Sequence, residues 1–168
     1  MKLVLNIVIF LVIYPNFIIS FGYEKYFDDS NRLILLGQCS VNDWFSETGW
    51  NIVAAESYQT DKIQIDRIKE LVNTGDISFV IIAGSWCGDT KSELPKLIKI
   101  FDECNIDSVQ YRIIGVGRDK KITDTDIDNI EIKLVPTLLI YKELELVGKI
   151  EEFPEYSWEQ DIVIVLEE

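Results

Sequence analysis

Residues 79–95, FVIIAGSWCGDTKSELP, predict a buried strand that leads directly into a helix. The apolar run over residues 79–83 is typical of a strand inside a sheet, and the Gly-Ser pair at residues 84–85 ends it. The helix is predicted to begin at residues 88–90, because turn and N-cap residue types there precede apolar residues at helical spacing. Cys87 is therefore expected at the N-terminus of a helix.

A cysteine in that position is a candidate nucleophile. The free N–H groups and the positive end of the helix dipole stabilise an anion, so they favour thiolate over thiol. The hydroxyl of Thr90 is expected to donate a hydrogen bond to the sulfur of Cys87, and Asp89 has two opposed effects. Its charge repels a thiolate, whereas in the first helical turn it interacts favourably with the dipole. Plain N-capping is the structural alternative for Asp89 and Thr90.

The segment Trp86-Cys87-Gly88-Asp89-Thr90 resembles the Trp-Cys-Gly-Pro-Cys signature of the thioredoxin superfamily. Pro95 is similar to that family's helix proline, and Val135-Pro136-Thr137 resembles its cis-proline loop. The pattern is most similar to bacterial thioredoxin-like proteins that carry Trp-Cys-Gly-Asp-Ser/Thr. The resemblance covers roughly residues 60–168, and it implies an α/β fold of the thioredoxin-like three-layer α/β/α type with a central mixed sheet.

Two departures from the family's pattern limit the expected chemistry. Thr90 stands where the family has its second, resolving cysteine, and Ile81 stands where it has the buried acid that assists that thiol. A hydroxyl cannot close a disulfide. The resemblance therefore implies that Cys87 keeps the attacking half of dithiol exchange and needs an outside thiol reductant for the other half.

The resemblance implies two alternative functions. In the first, a monothiol oxidoreductase uses Cys87 to attack disulfides of proteins or small thiols, with Trp86 flanking the site. The implied substrate-binding residues are Val135, Pro136 and Thr137. In the second, the fold is redox-inactive and recognises a polypeptide through the Pro136 loop. A peroxidase is disfavoured, because peroxidases on this fold place a threonine before the cysteine; no cofactor is expected.

Residues 1–22 predict a secretory signal peptide. Residues 3–13 are almost wholly apolar after a single lysine, and small residues precede a cleavage point after Gly22. An uncleaved anchor is the alternative, since residues 3–21 approach the ~20 residues that span a bilayer. We expect an exported protein, periplasmic or secreted, that contacts a membrane only if this segment is retained.

Residues 23–59 are expected to form an N-terminal extension ahead of a thioredoxin-like domain over residues 60–168. Residues 23–31 predict a polar arm, and residues 32–36 a short strand. A cluster of aromatic residues is expected to pack the extension onto the domain, and the alternative is a ligand groove beside the nucleophile. The cluster consists of Trp44, Phe45, Trp50 and Tyr58.

The domain is predicted to alternate strands and helices. In order, it is predicted to contain a helix over 61–72, the strand 79–83, a helix ending near 103–105, a strand over 109–116, a hairpin of 137–141 and 146–151, and a helix opened by Ser157. The strand–helix–strand order predicts a parallel crossover, which places Cys87 at the carboxyl edge of the sheet. Helices are expected on both faces.

Charge and composition exclude several classes of function. The formal net charge is -13, so nucleic-acid binding is disfavoured. The absence of histidine excludes Cys-His and Ser-His-Asp catalysis and His-ligated metals. The aspartates of residues 117–129 superficially resemble a calcium loop. Asn129 stands where that loop needs glycine and Val135 where it needs a closing glutamate, so a solvated loop and no metal are expected.

Cys39 is the candidate resolving cysteine, because it lies in a polar stretch of the extension. Cys104 lies near the far end of the predicted helix, about 25 Å from Cys87 at 1.5 Å per residue. Bridged Cα atoms are usually within ~7 Å, so a direct Cys87–Cys104 bridge is excluded. A structural Cys39–Cys104 disulfide and free buried thiols are the alternatives.

Overall fold

The computed structural model describes residues 22–122, 127 and 130–168. The strands are β1 (Tyr23–Phe27), β2 (Leu33–Cys39), β3 (Ile77–Ala83), β4 (Tyr111–Gly115), β5 (Thr137–Lys142) and β6 (Glu145–Glu151). The helices are α1 (Val41–Thr48), α2 (Lys62–Thr74), α3 (Gly88–Cys104) and α4 (Trp158–Glu167), with a short 3-10 helix at Ile52–Ala55. None of the helices in these residues is long and apolar enough to cross a bilayer. The predicted signal peptide falls on residues 1–21, outside this range, and on Gly22.

The described strands form one six-stranded mixed sheet in the order β1-β2-β4-β3-β5-β6. At its centre β3 pairs in parallel with β4, and Ile81 lies beside Ile113. This pairing confirms the parallel connection predicted through α3. The other neighbouring strands run antiparallel, including the β5–β6 hairpin. The protein therefore has an α/β fold with a mixed sheet and, in the described part, four helices.

The helix ends follow the local sequence. The side chain of Asp61 accepts from the backbone N–H of Ile63 at the start of α2, and Ser157 caps α4 in the same way. The helix α3 ends at Asn105, which adopts the left-handed conformation. These ends confirm the predicted helices to within two residues. The strand predicted from residue 109 begins only at Tyr111, because Val109 is 85% exposed in the preceding turn.

The four described helices pack on one face of the sheet. Each helix contributes apolar side chains to a single cluster, which also contains alternate side chains of β3. The members of this cluster include Trp44, Ile68, Phe79, Ile81, Phe101 and Trp158. We call this the helix-covered face. The carboxylate of Glu93 in α3 accepts from Trp158 Nε1 at 2.9 Å and from Lys96 Nζ at 2.7 Å, which fixes α3 against α4.

The connection between β4 and β5 covers the opposite face of the sheet, which we call the loop-covered face. Its buried cluster joins strand residues to residues of the connection: Val80, Ile82, Ile114, Leu139, Val116, Ile127, Ile132 and Val135. The prediction of helices on both faces is therefore wrong for the described residues. The reason is that the connection is rich in charged residues and supplies separated apolar side chains rather than an apolar helical stripe.

The N-terminal extension is part of the same sheet. The predicted polar arm is β1, and the predicted short strand continues to Cys39 as β2. The pairing of β2 with β4 brings Gly37 opposite Gly115, where a Cβ atom on Gly115 would overlap the carbonyl of Leu35. Glycine is therefore required at position 115 for the extension to join the sheet.

The aromatic residues of the extension pack against the apolar cluster of the helix-covered face. Trp44 is fully buried, and its ring meets that of Trp50 edge-on with centroids 6.1 Å apart. Phe45 and Tyr58 pack against the same cluster on the helix-covered face. These contacts confirm the packing interpretation and not the ligand groove.

The β5–β6 hairpin is tighter than the sequence suggested. Lys142 pairs with Glu145, so the turn consists of Glu143 and Leu144, both with positive φ. The register shifts between Gly148 and Leu146, so Val147 forms a bulge in β6. Gly148 itself leaves room for Val165 of α4, which a Cβ atom would overlap.

Candidate thiol site

Cys87 lies just beyond the carboxyl end of β3, as predicted. It is the N-cap residue of α3: its N–H donates to Gly84 O at 2.9 Å, and its carbonyl accepts from Lys91 N at 3.2 Å. The side chain is half-buried and packs against the loop-covered face. The predicted N-cap role of Asp89 or Thr90 is wrong, because both residues already lie inside the helix.

The sulfur of Cys87 contacts two hydrogen-bond acceptors. Its Sγ lies 3.4 Å from the carbonyl oxygen of Val135 and 3.7 Å from Oδ2 of Asp89. Because neither group can donate, a hydrogen bond in either contact requires the single S–H of Cys87 as the donor. The helix N-terminus favours an anion, whereas these two contacts favour the thiol. Before Cys87 can attack as a thiolate, its proton has to leave, either to water or to a neighbouring base.

Thr90 does not contact the sulfur. It is fully buried, and its Oγ1 accepts from Gly84 N at 3.2 Å. The prediction that Thr90 donates to Cys87 is therefore wrong in this structure. Its hydroxyl instead closes the turn between β3 and α3, so it positions the backbone that carries Cys87.

Trp86, next to Cys87 in the chain, makes several contacts with its surroundings. Its Nε1 donates to Val116 O at 3.0 Å, and its ring lies against Gly84, where a Cβ atom would be 3.0 Å from the indole. Arg118 stacks over the ring with its Cζ 5.0 Å from the centroid. Arg32 Nη1 donates to the Trp86 carbonyl at 3.3 Å. Trp86 is thus held by Arg32, just before β2, and by the β4–β5 connection.

Ser85 is a site residue that the sequence analysis missed. Its buried hydroxyl donates to Leu33 O at 2.7 Å and accepts from Leu35 N at 2.9 Å, which joins the loop before Cys87 to β2. The only signal in the sequence was a hydroxyl residue directly before Trp86. Arg32 and Arg118 were missed as well, since no local pattern relates them to Trp86.

The three predicted substrate-binding residues have different surroundings. Val135 contacts the sulfur, and the Val135–Pro136 peptide bond is cis. The carbonyl of Pro136 accepts from Glu152 N at 2.7 Å. Thr137 is fully buried, and its hydroxyl donates to Leu134 O at 2.7 Å. Val135 therefore lies at the sulfur, whereas Pro136 and Thr137 hold the loop in place.

The other two cysteines are free and buried. Cys39 is 2% exposed and Cys104 is 4% exposed. Burial raises the pKa of each thiol to about 12, so both stay protonated over the physiological range. The alternative of a Cys39–Cys104 disulfide is wrong, and free buried thiols are confirmed.

The structure does not bring Cys39 to Cys87. The loop before Cys87 contacts Leu33 and Leu35, at the start of β2, whereas Cys39 ends that strand. Four residues of strand span about 13 Å, which exceeds the ~7 Å between bridged Cα atoms. A resolving role for Cys39 would require β2 to leave the sheet.

The structure bears on metal binding only within the described residues. The loop aspartates Asp124, Asp126 and Asp128 lie outside the described residues. Within the part of the chain that the structure describes, no group of three Cys, Asp or Glu side chains is placed to hold a metal ion.

Comparisons with known proteins assign no family to this chain. No family model matches the sequence, and no curated protein matches it significantly. Among solved structures, it is similar to a protein of unknown function from Pseudomonas aeruginosa, with 17% identity and a TM-score of 0.47. The match covers 77% of this chain and 96% of that chain.

Proposed function

We propose that this protein is a thioredoxin-like monothiol exchange protein in which Cys87 is the nucleophile. The observation that carries the proposal is the difference between its three thiols, all of which are described. Cys87 is half-exposed at a helix N-terminus, whereas Cys39 and Cys104 are buried and held as thiols. Attack on a disulfide would join one half of the substrate to Cys87 and release the other half as a thiol.

The arrangement around Cys87 supports the thioredoxin-like part of the proposal. The active-site motif lies between β3 and α3 of a parallel strand–helix–strand unit, and the β5–β6 hairpin and α4 follow. The loop that begins the hairpin brings Val135 against the sulfur. The motif and the proline loop, far apart in sequence, thus meet at one edge of the sheet.

The surroundings of the sulfur suit a disulfide substrate with an apolar flank. Trp86 is half-exposed on one side, and Leu134, which is 40% exposed, precedes Val135 on the other. Release of the bound half needs an outside thiol reductant, because Thr90 replaces the resolving cysteine. Export, as residues 1–22 predict, would place the protein where disulfides persist.

The test is the formation of a mixed disulfide by the folded protein. After incubation with bis(2-hydroxyethyl) disulfide, peptide mass mapping is expected to find the adduct on Cys87, and an added thiol is expected to remove it. Cys87→Ser should abolish the adduct, whereas Cys39→Ala and Cys104→Ala, the matched controls, should leave it unchanged. An adduct spread equally over the three cysteines, or none on Cys87, would refute the proposal.

A polypeptide-binding module without redox chemistry is the second candidate. It is favoured by the two acceptors at the sulfur, because neither the Val135 carbonyl nor the Asp89 carboxylate can donate a hydrogen bond to a thiolate. On this hypothesis Leu134 and Trp86 contact an unfolded peptide, and the thiol plays no part. Binding to a peptide array would then survive Cys87→Ser and be lost on Leu134→Asp.

A further inference from the structure

Asp89 holds the carboxylate that touches the reactive sulfur. Its half-buried side chain has Sγ of Cys87 as its hydrogen-bond partner, and it forms no ion pair with any described residue. The other partner of the sulfur, the carbonyl of Val135, is an amide oxygen and far too weak a base to accept a proton. Among the described residues in contact with the thiol, the carboxylate alone can take its proton.

The charge of Asp89 also bears on how the sulfur of Cys87 loses its proton. A thiolate and a carboxylate 3.7 Å apart would repel each other, because each disfavours the charged form of the other. Moving the thiol proton from sulfur to oxygen keeps the total charge of the pair at one negative charge, so no second charge is buried when the sulfur becomes nucleophilic.

We propose that Asp89 is the proton carrier for disulfide exchange at Cys87, an inference that rests on the proposed function. The thiol proton moves to Asp89 Oδ2 as Sγ attacks one sulfur of the substrate disulfide R–S–S–R′. The S–S bond breaks, R–S remains bonded to Cys87, and R′–S⁻ takes the proton from Asp89 and leaves as R′–SH. Cys87 is oxidised to the mixed disulfide while one substrate sulfur is reduced to the thiol, so no further reactant is needed.

This role predicts that the effect of Asp89 depends on the leaving group. An alkyl thiolate is a poor leaving group at neutral pH, so it gains from protonation as it departs. An aromatic thiolate such as thionitrobenzoate leaves without a proton. Alkylation by iodoacetamide releases iodide and needs only the thiolate, so the negative charge of Asp89 slows that reaction.

The experiment measures three rates at Cys87 in the full chain at pH 7, for wild type and Asp89→Asn. Exchange with bis(2-hydroxyethyl) disulfide is expected to fall at least about tenfold, at the low end of general acid–base effects. Exchange with 5,5′-dithiobis(2-nitrobenzoate) should not fall, and alkylation should become faster. Asp89→Glu, which keeps the carboxylate, should restore part of the lost rate. The matched control is Asp76→Asn, an exposed residue that precedes the opposite end of β3, and it should change none of the rates.

The outcomes separate this inference from the proposed function. If wild type forms the Cys87 adduct with the alkyl disulfide and Asp89→Asn forms it equally fast, Asp89 is not the proton carrier, and monothiol exchange still stands. Equal slowing of all three reactions would also overturn the proton role, because it would show a misplaced Cys87. If the wild-type protein reacts with neither disulfide, both proposals fall.

Discussion

The two faces of the sheet place cysteine side chains in different environments. The helix-covered face encloses Cys39 and Cys104 in a continuous apolar cluster and holds both as thiols. The loop-covered face has a smaller cluster, and the half-buried residue Cys87 packs against it. The contrast indicates that one face supplies most of the stability and that the other presents the one thiol of the three that is not buried.

The difference follows from how each face is covered. Helices place many apolar side chains against the sheet at regular spacing, so that face is packed without interruption. The β4–β5 connection contributes single apolar residues, and its end brings the carbonyl of Val135 to the sulfur. We therefore expect substitutions on the helix-covered face to change the free energy of unfolding, and those around Trp86 to change the reactivity of Cys87.

The largest expected effect is that of Phe101→Ala on the helix-covered face. Phe101 is fully buried between Phe79 and Tyr111, with ring centroids 4.9 and 5.0 Å away. Losing this ring leaves a cavity, so urea unfolding should show a loss of about 3–5 kcal/mol. Phe153→Ala, at a half-exposed position, is the control and should cost far less. A loss below 1 kcal/mol for Phe101→Ala would contradict the dominance of this face.

Glu93→Ala is expected to have the next largest effect. It leaves Trp158 Nε1 buried without an acceptor and removes the partner of Lys96, which should cost about 1–3 kcal/mol in the free energy of unfolding. Glu93→Gln keeps an acceptor for the indole and should cost less. Equal losses for the two variants in urea titrations would show that the hydrogen bond to Trp158 contributes nothing.

Alkaline pH should weaken the helix-covered face. Burial raises the folded-state pKa of Cys39 and of Cys104 from 9.0 to about 12. The contribution of these two thiols to the free energy of unfolding is therefore complete below pH 9. It is lost as the pH rises from 9 toward 12, because in that range the thiols ionise readily only in the unfolded chain. Each thiol should lower the free energy of unfolding by about 1.4 kcal/mol per pH unit in that window. Denaturation of Cys104→Ala at pH 8, 9 and 10 should show a shallower decline than wild type; identical slopes would contradict the burial of this thiol.

Gly84→Ala should have the smallest effect on stability and a clear effect on the site. A Cβ atom there meets the Trp86 ring at 3.0 Å, so the indole must shift at a cost of about 1 kcal/mol. The rate of mixed-disulfide formation at Cys87 should change severalfold, since Trp86 precedes it. Gly88→Ala is the control, because a Cβ atom at that position meets nothing within 4 Å. An unchanged rate in Gly84→Ala would show that Trp86 does not position the nucleophile.

The sequence predicted the elements whose signals are local. The apolar run of β3, the helical pattern that begins at residue 61 and the cap at Ser157 each specify a structure within a few residues. The same local reasoning placed Cys87 at the start of α3. These predictions hold because neighbouring residues alone decide backbone conformation there.

What the sequence did not predict depends on distant contacts. The hydroxyl of Ser85 binds backbone groups of β2, and Arg118 stacks on Trp86, although each pair is far apart along the chain. The placement of all described helices on one face has the same cause, since an amphipathic pattern shows that a helix is covered but not by which face. For Thr90, nearness to Cys87 suggested a contact, and the helix turn directed the hydroxyl to Gly84 instead.

Site-resolved alkylation of the native protein compares the two faces in a single experiment. Iodoacetamide labelling at pH 8, followed peptide by peptide, is expected to modify Cys87 while Cys39 and Cys104 stay unlabelled until urea unfolds the chain. That result would show one reactive thiol on the loop-covered face and two inert thiols under the helices. Labelling of Cys39 or Cys104 at the rate of Cys87, or a Cys87 that stays unlabelled in the folded protein, would contradict the division between the two faces.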